Sequence, residues 1–398
     1  MTRRHLNYGR HSIDDDDVQA VVDALRGDLV TQGPVVERFE ATVADTVGAR
    51  HAIAVSSGTA ALHIACLAAG VASGDTGATS TLSFVASANA LIYCGADADL
   101  LDIDQETLSI TASGVRAYLE HKPQARTLIP VHFAGLATQS AEIRVAAGER
   151  VIIEDAAHAL GGQYACGAMV GSCTHADMTA FSFHPVKPIT TGEGGIVTTN
   201  DPEFARLLRQ LRTHGIERDE FRIVDKDAGF ENGRRRSWYY EQQLLGYNYR
   251  ITDIQAALGL SQLTKLDKFL TRRRQIAAHY DAAFMSLPGV TVAQCDPSYR
   301  SRSAHHLYIL KIDFARFGQT RQHVIDEMNA HGIAPQIHYI PIHRQPFHRA
   351  RHNYDDTAFP ETMAYYESCL SIPFFPDMTD EEVSYVAETI PRLLRQWL

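Results

Sequence analysis

The feature that most limits the fold begins near residue 51, where short apolar strands and helical segments alternate down the chain. HAIAVSS runs into GTAALHIACLAAG, and TSTLSF into VASANALIYCG. LLDID, TLIPVHF and VIIED are further short apolar runs, and DMTAFSF and GGIVTTN follow them. Strands that alternate with helices imply a mostly parallel sheet covered on both faces. A chain of 398 residues, 45% of them hydrophobic, can build such a domain and a smaller one beside it. We expect a large α/β domain over residues 1–250. Residues 251–398 should form a long linking helix and a small α+β domain.

Two helices precede the alternation. Ser12 is placed to cap the first, Asp14 to Asp17 favour its positive end, and Gly27 ends it. Val18, Val21, Val22 and Leu25 form its apolar face. Pro34 opens the second, with Val36, Phe39, Val43 and Val47 turned inward. Beyond the large domain, a helical region is expected from Thr252 to about Leu287, stopped by Pro288 and Gly289. A strand in HHLYILKID, a helix in TRQHVIDEMNAHG and a strand in PQIHYIP should follow. Thr379 and Glu382 make a capping-box pattern before a last helix. The polar stretch Asp225–Arg236 reads as a long loop.

Several function classes lose weight at once. No stretch approaches the twenty apolar residues of a membrane span. Arg3 and Arg4 are not followed by the apolar run of a secretory signal, so we expect a cytoplasmic protein. The formal charge of −10 is spread along the chain, which argues against nucleic-acid or membrane partners. Cys66, Cys94, Cys166, Cys173, Cys295 and Cys369 form no CxxC pair and read as reduced thiols, with no metal site. A P-loop, a GxGxxG turn after a strand and an HExxH helix are all missing.

Lysine is scarce, with six among 37 basic residues. Only Lys187, in FSFHPVKPITTGEGG, stands between an apolar strand and a glycine-rich turn. An apolar setting lowers a lysine's pKa, and the neutral amine attacks carbonyls. The plain alternative is a lysine snorkelling from a loop. Asp155 follows the strand VIIED, and strand ends are where such sheets bind ligands. It could equally cap the next helix. His158, three residues on, could be a hydrogen-bonded interior histidine. Ser57, Gly58 and Thr59 stand at a helix start, where N–H groups can receive an anion, and Ser182 could add a contact. Phe84 could stack on a flat ring or belong to the core. A lysine, an acid, an aromatic plate and an anion-binding helix start together match the needs of pyridoxal 5'-phosphate.

SSGTAAL, EDAAHALG, FSFHPVKPITTGEGG and LGYNYRITDIQAALGLSQL occur in the order and separations of a known family. Over nearly its whole length the chain resembles the DegT/StrS-like sugar-nucleotide aminotransferases, whose fold is fold type I, the aspartate aminotransferase fold. The resemblance implies that Lys187 holds the cofactor and shuttles a proton, while the cofactor alternates with pyridoxamine phosphate. It implies that Asp155 pairs with the ring nitrogen, Phe84 stacks on the ring, and His158 stands nearby. Gly58, Thr59 and Ser182 would hold the phosphate. Asn248 would reach the phosphate of a neighbouring subunit, so a homodimer with shared sites is implied.

For the sugar nucleotide the resemblance implies Tyr8, Asp28, Leu29, Val30, Thr31, Ser57, Ser182, Asn248, His306, Ile337, His338, Tyr339 and Ile340. HPVKPITTGEGG, QIHYIPIH and LSIPFFPDMT further resemble members that aminate a UDP-linked 4-keto sugar in pseudaminic acid biosynthesis, with L-glutamate as donor. Arg234, Arg235 and Arg236 invite a diphosphate-clamp reading, but a solvated loop explains them and the resemblance assigns them nothing. STLSF stands where the family pattern leads us to expect a proline, two residues from Phe84. Other nucleotide keto sugars, and a pyridoxal-phosphate-binding sensor without turnover, are the alternatives.

Overall fold

A computed structural model describes residues 5–352 and 354–398; Arg3 and Arg4 lie outside the described residues. The large sheet has seven strands: β1 (His51–Val55), β2 (Thr76–Ser80), β3 (Asp97–Leu101), β4 (Thr127–Ile129), β5 (Val151–Asp155), β6 (Met178–Ser182) and β7 (Gly195–Thr199). Their spatial order is β1-β7-β6-β5-β4-β2-β3. The pairings from β6 through β5, β4 and β2 to β3 are parallel. Only β7 runs antiparallel, to β1 and β6. This is the expected mostly parallel sheet, and both faces are covered. Helix α3 (Gly58–Ala68) is buried almost all round because it fills the centre of one face.

The strands TSTLSF and LLDID end earlier than their composition suggested. Strand β2 stops at Ser80, so Thr81 to Phe84 form a turn into α4 (Ala86–Tyr93). That shift frees Ser83 and Phe84 to leave the sheet at its carboxyl edge.

Helix α1 (Asp15–Arg26) is capped by Asp14 rather than Ser12. Asp14 accepts from the Asp17 N–H, and Asp17 accepts from the Asp14 N–H at 3.1 Å. The Ser12 hydroxyl instead donates to Asp377. Half of the expected apolar face is turned outward: Val18 and Leu25 are 54% and 55% exposed and Val21 and Val22 are half-buried, while Asp17 and Ala24 are buried. Asp17 takes hydrogen bonds from Gln262 at 2.7 Å and an ion pair from Lys265 at 2.9 Å. Polar contacts therefore seat α1. Helix α2 (Pro34–Val47) follows its sequence pattern, with Val36, Phe39, Val43 and Val47 buried.

The single helix expected from Thr252 is two, α5 (Asp253–Leu263) and α6 (Leu266–Phe284). They break at Thr264 and Lys265, where Lys265 turns aside to meet Asp14 and Asp17. Helix α5 packs against α2, the first half of α6 shares the core cluster of α2, and its second half joins another core. That core holds the antiparallel sheet β8 (Val290–Val292), β9 (Tyr308–Ile312) and β10 (Cys369–Ile372), closed by α7 (Asp380–Arg395). Leu6 also packs there. Phe284 is fully buried in it, and truncating such a side chain to alanine costs about 3–5 kcal/mol.

Two further expectations change. PQIHYIP is not a strand: only Ile333–Ala334 pairs, with Leu6–Asn7, and Gln336 bridges Ser371. Pro335 and Pro341 bracket the segment and remove ladder donors. Asp225–Arg236 is not a plain loop. It holds one helical turn, Lys226–Gly229, and a hairpin of Phe230–Glu231 with Arg234–Arg235. Asn232 and Gly233, both at positive φ, make that hairpin's turn. No helix among the described residues is long and apolar enough to cross a membrane.

Candidate active site

A cavity of about 400 Å³ opens at the carboxyl ends of the parallel strands. Its wall brings together Tyr8, Ser57, Gly58, Thr59, Phe84, Asp155, His158, Ser182, Lys187, His338 and Tyr339. These come from segments far apart in the chain, and the sheet register sets them side by side. Asp155 ends β5 opposite Ala180, and Ser182 ends β6 opposite Gly195.

Ser57 caps α3, its hydroxyl accepting from the Ala60 N–H at 3.1 Å. The Gly58 and Thr59 N–H groups lie in the first turn, where a helix leaves its donors unpaired. A side chain at Gly58 would put its Cβ 2.8 Å from the Ser182 Cβ. A Cβ at Gly195 would stand 2.5 Å from the Ser57 carbonyl oxygen. Only glycine lets this helix start, β6 and β7 meet so closely.

Lys187 follows β6 in a turn, its N–H donating to the His184 carbonyl at 2.9 Å. The side chain is half-buried, and its amine makes no hydrogen bond or ion pair among the described residues. Burial lowers its pKa from 10.5 to about 8, against an opposing pull from the Asp155 carboxylate. Asp155 is buried and firmly held: Ser87 donates to Oδ2 at 2.6 Å and the Ala157 N–H to Oδ1 at 3.1 Å. Ser87 in turn shares a 2.6 Å hydrogen bond with Ser83.

The His158 ring is fixed from both sides. Its Nδ1 accepts from the Ala134 N–H at 3.3 Å, so the proton of the neutral ring sits on Nε2, 3.2 Å from the Tyr339 hydroxyl. Burial first, then the Lys187 and His338 charges, push its pKa well below the ordinary value. His338, bonded to Ser371 at 2.9 Å, is driven to about 3 by burial and by Lys187. Burial pushes the Tyr339 hydroxyl up. The histidines and the tyrosine near Lys187 are therefore neutral, and Asp155 and Glu193 are the carboxyl groups of the wall.

Phe84 is 56% exposed on the cavity wall, its ring 5.9 Å from that of Tyr339. Tyr8 packs edge-on against His338 at 4.7 Å. Ile337 and Ile340 line an adjoining cleft that shares Tyr8, Phe84, His338 and Tyr339 with the cavity. Other expected residues are not brought to the wall. His306 lies behind it, its ring 4.3 Å from that of His158 and tilted by 37°. Asn248 bridges Thr213. Asp28, Leu29 and Val30 are exposed, and Thr31 bridges Thr252. Arg235 and Arg236 donate to the carbonyls of Tyr239 and Ala228, on either side of their hairpin.

Sequence reasoning missed Ser83, Ser87, Phe133, His184 and Glu193. Ser83 and Ser87 carried one usable signal: they are four apart across a helix start that follows a strand end. A cofactor with an anionic tail and a flat ring fits these residues. The gap that Gly58 keeps open suits the anion, the anchored acid suits a protonated ring nitrogen, and the exposed Phe84 face suits the ring.

The chain matches the DegT/DnrJ/EryC1/StrS aminotransferase family over residues 11–391. It is 37% identical over 397 residues to the spore coat polysaccharide biosynthesis protein SpsC of Bacillus subtilis, covering 99% of this chain and 98% of that one. Helicobacter pylori PseC, an aminotransferase involved in the biosynthesis of pseudoaminic acid, superposes with a TM-score of 0.88 at 26% identity, covering 99% and 100%. The same coverage, identity and TM-score relate it to the putative sugar aminotransferase Spr1654 of Streptococcus pneumoniae in its PMP form. With the fold type I architecture these matches share, the chain belongs to the DegT/DnrJ/EryC1/StrS family and is a pyridoxal-phosphate-dependent aminotransferase.

Proposed function

We propose that the chain aminates the C4 ketone of UDP-2-acetamido-2,6-dideoxy-β-L-arabino-hexos-4-ulose. L-glutamate is the donor and UDP-4-amino-4,6-dideoxy-N-acetyl-β-L-altrosamine the product. The observation that carries the chemistry is the unbonded Lys187 amine, held at a pKa of about 8 across the cavity from Asp155. The likeness to PseC supports this sugar. Pyridoxal phosphate, when bound, supplies an electron sink for the reacting carbon. The residues do the rest. Roughly a tenth of Lys187 is uncharged at pH 7 with such a pKa, enough to accept a proton at Nζ and return it. Asp155 presents a carboxylate whose position Ser87 and Ala157 fix. Gly58, Thr59 and Ser182 receive the phosphate, Phe84 covers the ring, and His158 and Tyr339 keep water from that side.

The reading includes two copies that share their sites, in the cytoplasm. Ile13, Val18, Leu25, Leu29 and Val30 are exposed apolar residues beside the segment Asp28–Thr31, as a subunit contact requires. Asn248 would then serve the neighbouring cavity. Two inactive variants, K187A and N248D, should regain activity when mixed and refolded together.

The direct test is the absorption spectrum with pyridoxal phosphate, before and after L-glutamate, followed by the UDP-keto sugar. Bleaching by glutamate and recovery with the sugar, with one aminated sugar per 2-oxoglutarate, are expected. Turnover only with differently configured or differently linked keto sugars would reject this substrate. The 37% identity to the spore-coat protein favours that second reading, amination of another nucleotide keto sugar. Product stereochemistry by NMR separates the two.

A further inference from the structure

Arg273, on α6, is a buried cation with no carboxylate partner among the described residues. Its Nη1 donates to three carbonyls: those of His305 and His306, each at 3.2 Å, and that of Phe374 at 3.1 Å. The guanidinium carbon stands 5.5 Å from the centre of the Phe374 ring. Its Nε has no partner. Burying a charge without an opposite charge is unfavourable, and an apolar residue would fill the space at lower cost. The three carbonyls explain its presence, because both segments that carry them lead to the cavity.

The Phe374 N–H donates to the Tyr8 carbonyl at 2.9 Å. The His306 N–H donates to the Ala134 carbonyl at 2.9 Å, and the Ala134 N–H is the donor to His158 Nδ1. His305 adopts φ +50, a strained value for a residue with a side chain, so something must hold it there. Its N–H bonds to Ser303, and its carbonyl to Arg273. The groups facing His306 are His158, Lys187, Arg273 and His338, all bases. Burial first, then these neighbouring basic groups, hold the His306 pKa well below its ordinary value, and its ring packs 4.3 Å from that of His158.

We propose that Arg273 is a positioning residue for the reaction. It pins the 305–306 turn so that a neutral His306 backs His158, and His158 in turn faces Lys187 and Tyr339. The proposal rests on the reading of Lys187 as the reactive amine. Its first test, the titration, does not, because it uses the protein without cofactor or sugar.

The protein is labelled with 13C at histidine Cε1, and signals are assigned with His158→Gln and His306→Gln. In the parent, both signals should stay flat from pH 5 to 9. In Arg273→Met the released turn should let water reach the ring, and the His306 signal should titrate within that range. Arg273→Lys should keep it flat. Arg273→Gln is too short to span the three carbonyls, and it gives the same reading if Arg273→Met does not fold. In the loaded enzyme, Arg273→Met should lower kcat about tenfold, and add less than twofold in a His306→Phe background. Flat histidine signals in both neutral variants would overturn the proposal, as would kinetic effects that multiply.

Discussion

The cavity that holds Lys187 and the cleft between Lys122 and Arg351 are close in volume, about 400 and 350 Å³, yet they treat charge in opposite ways. In the cleft each cation has an anion. Lys122 lies 3.6 Å from Asp99 and Arg351 lies 3.7 Å from Asp97. Asp99 also accepts from Tyr118 at 3.0 Å and Tyr354 at 3.3 Å. In the cavity the amine has no bonded partner among the described residues, and the carboxylate is held by a hydroxyl and a backbone N–H, with acceptor sites left over. Paired charges at a surface cleft hold elements together weakly. A buried amine with no ion partner within reach is easier to deprotonate, which suits it to attack a substrate.

The largest effect that tests this contrast is at Lys187. Lys187→Ala should lower amine transfer by at least about ten-thousandfold, since it removes both attachment and proton transfer, with steady-state kinetics as the measure. Normal turnover in that variant would erase the distinction between the two hollows. Next comes Ser87→Ala. It removes a charge-assisted hydrogen bond of about 1.5–3 kcal/mol from Asp155, so kcat should fall about tenfold or more. The cofactor absorbance should still appear.

A smaller effect concerns stability. The unfolded chain keeps the Lys187 proton to about pH 10.4, and the folded chain loses it near 8. Between those values the unfolded state binds more protons, so this group makes stability rise with pH across that window. Urea unfolding of the cofactor-free protein should show the rise, and Lys187→Met should lack it. The smallest effect is at Lys122. Lys122→Ala should change stability by less than about 1 kcal/mol and leave kcat within twofold, as thermal unfolding and kinetics would check. A large loss there would mean that the paired cleft also serves catalysis.

The contrast was only partly legible in the sequence. Lys187, Asp155, Ser182 and Gly58 could be read because each stands at a strand end or helix start within its own short motif. The alternating strands were legible for the same local reason. Ser87 meets Asp155 across 68 positions, and Tyr339 meets His158 across 181, so no local pattern announces either contact. Helix α1 shows the opposite error. Its spacing correctly marks Val18 and Leu25 as one apolar face, but spacing cannot say whether that face meets its own chain or another. His306 was expected in contact with the sugar nucleotide from the family resemblance, whereas the 305–306 turn sends the ring one layer deeper.

The antiparallel course of β7 has a consequence for how the enzyme breathes. Strand β6 ends at Ser182 and its immediate neighbour β7 begins at Gly195, so the segment bearing Lys187 is a short strap between two interior strands. Straps of that kind cannot lift away unless the middle of the sheet separates. Amide hydrogens flanking Lys187 at Phe183 and Thr191, which bond across the strap's base, should therefore exchange with deuterium at close to the rate of global unfolding. The reactive amine is thus carried on the slowest-opening part of the molecule, and its reach is limited by the strap rather than by a mobile loop.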